Sequence, residues 1–237
     1  MELSNCIEKL IKKLNNLRTS MLGGDFLEIV PGVNEANEYI NSIAKFSNDY
    51  KLNNAWKCIA NGEGIEKAIN EIYNYVSDTE RAFFVSNEFR KIILSNSILS
   101  SSIIALVMGK IVKEDRKCTH KEAIVLNAVS NMTDYDINNF SVIMNEAKDM
   151  LGGYEIININ KLDKEFKDSL TYTLNLCANT GIFDLCSEIS CEAEETLYMG
   201  LYHIVSKVSY SLLDYIVEVK QLLKFQDDYN IFTESNS

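Results

Sequence analysis

The sequence predicts a mainly α-helical protein, an N-terminal helical bundle followed by a C-terminal region that carries a small β-hairpin. Three observations support this. A single proline, Pro31, and ten glycines in 237 residues leave few helix breakers. Apolar side chains recur at three- and four-residue steps through most of the chain, the period of a helix face. Towards the C-terminus, "GIFDLCSEIS" and "ETLYMGLYHIV" read instead as strands. In the second, Leu197, Met199, Leu201 and His203 alternate with Tyr198, Gly200, Tyr202 and Ile204. With 46% hydrophobic and 24% charged residues, the chain can bury one large core or two smaller ones.

The first element is an amphipathic helix over residues 1–22. Leu3, Ile7, Leu10, Leu14, Leu17 and Met21 follow at alternating steps of four and three, a coiled-coil-like stripe. Lys9, Lys12, Lys13 and Arg18 occupy the other face. The plainest reading is a helix docked on its own domain. The stripe is also a candidate partner seam, and the basic face a candidate contact for an anionic membrane. Gly23-Gly24 ends the helix and "DFLEIVPGV" connects onward.

A helical bundle is expected over 23–118. "NEANEYINSIAKF", "KLNNAWKCIA" and "GIEKAINEIYNYV" are amphipathic, with the turn "NGEG" before the last. "SDTE" at 77–80 reads as a capping box with Ser77 as the N-cap. Between Lys91 and Lys110 lie 18 residues without a charge. A membrane span needs about 20 apolar residues. Here Ser95, Asn96, Ser97, Ser100, Ser101 and Ser102 interrupt the run, and only Ile103 to Met108 is continuously apolar. Ser97, Ser101, Ala105 and Gly109 fall at four-residue steps and form a ridge of small residues. Such a ridge admits another helix closely. The run therefore reads as the central helix of the bundle, with "KEDRK" at 113–117 a solvated linker.

In the second half, "THKE" at 119–122 and "TDYD" at 133–136 open two helices. The second carries Ile137, Phe140, Ile143, Met144 and Ala147 and is expected to stop at Gly152-Gly153. "YEIININ" is a short β-rich segment. A helix from about Asp163 to Asn179 follows, then the two strands and a closing helix, "SKVSYSLLDYIVEVKQLLKF". Residues 226–237 read as a polar tail.

The order helix, helix, short strand, helix, two strands, helix over 119–225 resembles winged-helix proteins. "LTYTLNLCANTGIFD" is similar to their third helix running into the first wing strand. "YHIVSKVSYSLLDYI" resembles the second wing strand leading into a C-terminal helix. A composition rich in Asn, Ile, Lys and Tyr makes the whole chain similar in style to proteins of prophages and low-GC bacteria. The resemblance carries over no functional residues.

Charge argues against the DNA-binding version of that fold. Residues 1–118 carry 15 acids and 15 bases, residues 119–237 carry 19 and 8. Lys161, Lys164 and Lys167 are the only candidate nucleic-acid stripe, and Asp163, Glu165 and Asp168 interleave with it. Glu192, Glu194 and Glu195 stand where a wing would meet phosphate.

Catalytic signatures are absent from the sequence. It has no GxGxxG, Walker A, HExxH or nucleophile elbow. Cys6, Cys58, Cys118, Cys177, Cys186 and Cys191 form no CxxC pair. Cys118 and His120 lie two apart without a second pair to complete a zinc site. No catalytic, cofactor-binding or metal residue is assigned, and no cofactor is expected. The expectation is a cytoplasmic, non-catalytic protein-interaction or regulatory protein related to phage or mobile elements. Its partner would be a protein, or a second copy of the chain, rather than nucleic acid or membrane. The rivals are a DNA-binding regulator using the second half, a membrane-active effector using 92–112 with the basic first helix as an anchor, and an enzyme with scattered residues.

Overall fold

The computed structural model describes residues 6–7, 9–14, 16–17, 50–95, 97–158, 167–191 and 196–223. The chain is mainly α with a small antiparallel sheet in its C-terminal part. It divides into two units, Met1–Cys118 with Val219–Ser237, and Thr119–Glu218.

In the first unit, α1 is helical at 6–7, 9–14 and 16–17. It is followed by α2 (Tyr50–Ala60), α3 (Ile65–Tyr75), α4 (Thr79–Leu94) and α5 (Ile98–Lys113). Helix α5 holds the uncharged run and is surrounded. Every residue from Ser100 to Gly109 is buried, as are Ile111 and Val112. A helix that is apolar on all sides is stable in water only when other elements cover it. Here α2, α3 and α4 pack against it. Each large side chain so buried stabilises the unit by about 1.5–3 kcal/mol. The serines are tolerated because part of their polarity is satisfied locally. Ser97 caps α5, its Oγ accepting from Ser100 N at 2.8 Å, and Ser101 Oγ donates to Ile98 O at 2.9 Å.

Two expectations for this unit are corrected. The N-cap of α4 is Asp78, not Ser77: Asp78 Oδ1 accepts from Arg81 N at 2.9 Å. A carboxylate at a helix N-terminus satisfies the free amide and also meets the positive end of the dipole. The run 113–117 is largely exposed, as expected, but it is not a free linker: it is tied back to the bundle. Lys113 pairs with Glu63 at 2.8 Å, Arg81 with Asp115 at 2.5 Å and Lys117 with Glu80 at 2.7 Å. Tyr75 Oη donates to Arg116 O at 2.9 Å.

The second unit runs α6 (His120–Val129), α7 (Asp134–Glu146), β1 (Lys148–Leu151), β2 (Tyr154–Ile157), α8 (Lys167–Asn179), β3 (Phe183–Cys191), β4 (Thr196–Val205) and, as far as Glu218, α9 (Lys207–Leu223). Both expected capping boxes are formed, Thr119 with Glu122 and Thr133 with Asp136. The sheet order is β1-β2-β4-β3, with antiparallel neighbours throughout.

Helix α7 ends at Glu146, short of the expected Gly152. Residues 148–151 form β1, paired with β2 in the register Leu151↔Tyr154 and Lys148↔Ile157. Gly152 and Gly153 have φ of 57° and 83°. The type I′ turn of a two-residue hairpin needs positive φ at both central positions, which glycine supplies. The glycine pair is therefore a hairpin turn and not a helix stop. A register shift between Cys186 and Glu188 interrupts the β3–β4 ladder.

Candidate functional site

The inner side of the second unit is fixed by a buried polar network between α7 and α8. Asp136 Oδ2 accepts from Thr133 N at 2.9 Å and from Thr133 Oγ1 at 2.7 Å, closing the capping box. Its Oδ1 accepts from Thr173 Oγ1 at 3.0 Å, and Asn139 Nδ2 donates to the same hydroxyl at 3.2 Å. Asp136, Asn139 and Thr173 are all buried. Desolvation, then the Asp136 charge, pushes the Cys177 thiol well above its ordinary range, so it is an inert core group and no nucleophile. Phe140 of α7 meets Phe183 of β3 at a ring separation of 5.7 Å.

Away from that network, several elements of the unit expose apolar groups. Helix α7 exposes Tyr135 and Val142, and α9 exposes Tyr210 and Val217. The sheet exposes Met150, Tyr154, Leu185 and Leu201, and Tyr172 of α8 is 67% exposed. Of the twelve exposed large hydrophobic residues among the described residues, these nine belong to the second unit. Only Tyr73, Phe83 and Leu94 belong to the first.

The second half of the chain, residues 119–237, is poor in positive charge. Lys148 is occupied by Glu155 at 3.2 Å and by the hydroxyl of Tyr210 at 3.2 Å. The Tyr210 hydrogen bond, then Glu155, raises its pKa above the ordinary lysine value. Asp184 and Glu188 are exposed on β3. His203 is half-buried, and desolvation lowers its pKa below the usual histidine value, which favours the neutral form near pH 7. The basic residues of the first unit offer little reserve. Arg81, Lys91, Lys113, Arg116 and Lys117 each hold an ion pair with a carboxylate of their own unit.

The residues singled out in the sequence fall as follows. In the ridge, Ser97, Ser101, Ala105 and Gly109 are all buried. Ser97 acts as the cap of α5, and Gly109 lies against the Ile59 backbone of α2. In the stripe of α1, Leu10 and Leu14 are buried and Ile7 and Leu17 are half-buried. Lys13 Nζ from the same helix donates to Tyr73 O at 2.6 Å, at the C-terminal end of α3. Leu3 and Met21 lie outside the described residues, as do Lys161, Lys164, Glu192, Glu194, Glu195 and the tail. Lys167 opens α8, and its side chain is also outside them. Among the described residues no three His, Cys, Asp or Glu side chains gather as metal ligands would, and no helix is long and apolar enough to cross a membrane.

Sequence reasoning missed the outward tyrosines. The signal was present in α7, where Tyr135 and Val142 lie seven apart and off the Ile137, Phe140, Ile143, Met144 stripe. No family model, no curated protein and no solved structure matches the chain.

Proposed function

We propose that the second unit is a winged-helix-like module used for protein contacts. The chain would act as a non-catalytic adaptor or regulator, and its composition favours a phage or mobile-element setting. The observation that carries the reading is the concentration of exposed apolar and aromatic residues on the acidic unit, nine of the twelve among the described residues. Isolated exposed apolar residues are ordinary, whereas a surface enriched in tyrosine and in large aliphatic groups is the composition of a protein interface. A helix–helix–hairpin–helix–hairpin–helix order supports the winged-helix-like comparison.

The test is affinity capture from the native host with the full chain as bait. The wild type is compared with Tyr172→Ser/Leu185→Ser/Leu201→Ser and with a first-unit control, Phe83→Ser. The expected result is a stoichiometric protein partner held by the wild type and the control and lost by the triple variant. Equal capture by all three baits, or no capture by any, overturns the reading.

The lysine stripe favours a second reading, a DNA-binding regulator. Duplex DNA titrated at two salt concentrations decides it. Micromolar or tighter binding that weakens steeply with salt, and is lost on changing Lys161, Lys164 and Lys167 to Glu, would put that reading first.

A further inference from the structure

We infer that residues 113–117 are an electrostatic strap, closed in this structure, that sets how much loose chain joins the two units, with Arg81 as its post. The inference goes beyond the protein-contact reading above and does not depend on it. The chain passes between the units twice, at Cys118–Thr119 and at Glu218–Val219. The second passage lies inside the unbroken helix α9, whose length is fixed. Slack can therefore enter only at the first. There Lys113 is tied to Glu63, Asp115 to Arg81 and Lys117 to Glu80. Arg81, in the first turn of α4, makes the central tie. Its Nη1 donates to Asp115 Oδ1 at 2.5 Å and to Tyr75 O at 3.3 Å, and its guanidinium lies 4.6 Å from the centre of the Tyr75 ring. Tyr75 Oη in turn donates to Arg116 O at 2.9 Å. Tyr75 is buried and the Arg81 side chain is only 21% exposed, whereas those of Asp115 and Lys117 are 72% exposed. The post belongs to the bundle and the strap lies over it.

Three features make this closure reversible. The run "KEDRK" has no apolar side chain, so opening it uncovers none. Its ties are ion pairs and hydrogen bonds at a largely exposed segment, where each is weak and screened by salt. The backbone turn inside it is also poorly suited to its residue. Asp115 N donates to Val112 O at 3.1 Å and Arg116 N to Ile111 O at 3.3 Å, the pattern that closes a helix through a left-handed residue. That residue is Asp115, with φ of 48°, where glycine is favoured. The Arg81 pair offsets the strain, and without it the turn relaxes. On the far side Thr119 keeps α6 capped through its box with Glu122, so opening does not unwind that helix. With the strap closed, Cys118 alone separates the Lys117 tie from the Thr119 cap. With it open, the five residues from Glu114 to Cys118 span up to about 17 Å.

The test is limited trypsin digestion of the full chain, following the cuts after Arg116 and Lys117 by intact mass. A small peptide substrate in the same mixture corrects for the effect of salt on trypsin itself. Cleavage of a segment that opens and closes quickly follows the population of its open form. The expected result is that the wild type is cut at the strap about fivefold faster in about 1 M salt than in about 0.01 M, as the Debye length shrinks from about 30 to about 3 Å. Arg81→Gln and Asp115→Asn are each cut about fivefold faster than the wild type at low salt, and respond less to added salt. Asparagine tolerates the left-handed backbone as aspartate does, so Asp115→Asn removes the charge and keeps the turn. Arg90→Gln, at an exposed arginine of the same helix, is cut as the wild type is. The wild-type salt series needs no variant, so it decides even where a variant fails to fold. Equal cutting of the wild type at the two salt concentrations overturns the inference. So does cutting of Asp115→Asn at the wild-type rate, an equal increase in Arg90→Gln, or no cut at the strap in any sample.

Discussion

Gly109→Ala is the smallest change that probes the centre of the first unit. A Cβ added at Gly109 would sit 2.6 Å from Ile59 O, 2.9 Å from Ile59 Cα and 3.1 Å from Ile59 C. All three are backbone atoms of α2, so no side-chain rotation relieves the clash. Carbon pairs are comfortable at about 3.5–4.0 Å, so α2 and α5 must separate by roughly 0.6 Å or more. That loosens the contacts of the buried α2 residues, including Leu52, Ala55, Trp56 and Ile59. Overpacking of this kind costs about 1–3 kcal/mol. Alanine regains about 0.5–1 kcal/mol over glycine in a helix interior. The net expectation is a loss of about 1–2 kcal/mol, and so a fall of about 2–8 °C in Tm. Trp56 is the only tryptophan, it lies on the helix that must move, and it meets Phe89 at 5.6 Å. Its fluorescence in a urea titration therefore reports on this unit. A variant whose midpoint equals or exceeds that of the wild type refutes the close approach, because propensity alone would then have decided the outcome.

Four further outcomes are expected. Asn54 is buried with neither side-chain polar atom partnered; Asn54→Leu should stabilise the first unit by about 1–2 kcal/mol in the same titration, and a loss would reveal a partner for the amide. Thr173→Val leaves Asp136 Oδ1 and Asn139 Nδ2 without their shared hydroxyl; it should cost about 1–3 kcal/mol by thermal melting, with Thr173→Ser close to wild type. Glu63 is pulled down to a pKa of about 2, first by its hydrogen bond to Lys113 and then by that to Lys67. Its folded value is depressed, so its stabilising contribution is present above the ordinary carboxylate pKa and is lost as pH falls through about 2; carbon-detected titration should show this, and Lys113→Met should move the midpoint upward. Leu10→Ser with Leu14→Ser removes two fully buried side chains, each worth about 2–5 kcal/mol, and should abolish cooperative unfolding of the first unit instead of merely changing oligomer mass.

What could be read from the sequence followed the distance over which each signal acts. Capping at Thr119 and Thr133 is decided within four residues, and both boxes formed as written. The burial of α5 was legible because eighteen uncharged residues have few other places to go in a globular chain. The "SDTE" start was misjudged by one residue because Ser77 and Asp78 are both competent caps. β1 was missed because "KDML" has no strand character of its own. It exists by pairing with "YEII", and the glycine pair between them serves equally well as a helix stop or a hairpin turn. The ties that fold 113–117 back reach over more than thirty residues, from Arg81 to Asp115 and from Glu80 to Lys117, and no local pattern announces them. The outward tyrosines were hidden for a related reason. Tyrosine serves in cores as well as at interfaces, and only the packing of Ile137, Phe140, Ile143 and Met144 shows which side of α7 was left over.

The burial of the middle of α5, from Ser100 to Gly109, also bears on how the protein is made. A helix without a wet side gains nothing by forming before its surroundings exist, and its surroundings are unfinished without it. Synthesis delivers α2, α3 and α4 first, each with an apolar face that stays vacant until α5 has emerged. A chain cut short before Lys113 exposes that empty seat to every other chain nearby. A fragment carrying α5 alone offers an apolar rod. Both are the species that chaperones retain and proteases remove. Partial products of this chain that end between Tyr50 and Lys113 are therefore expected to be substrates for the cell's quality control.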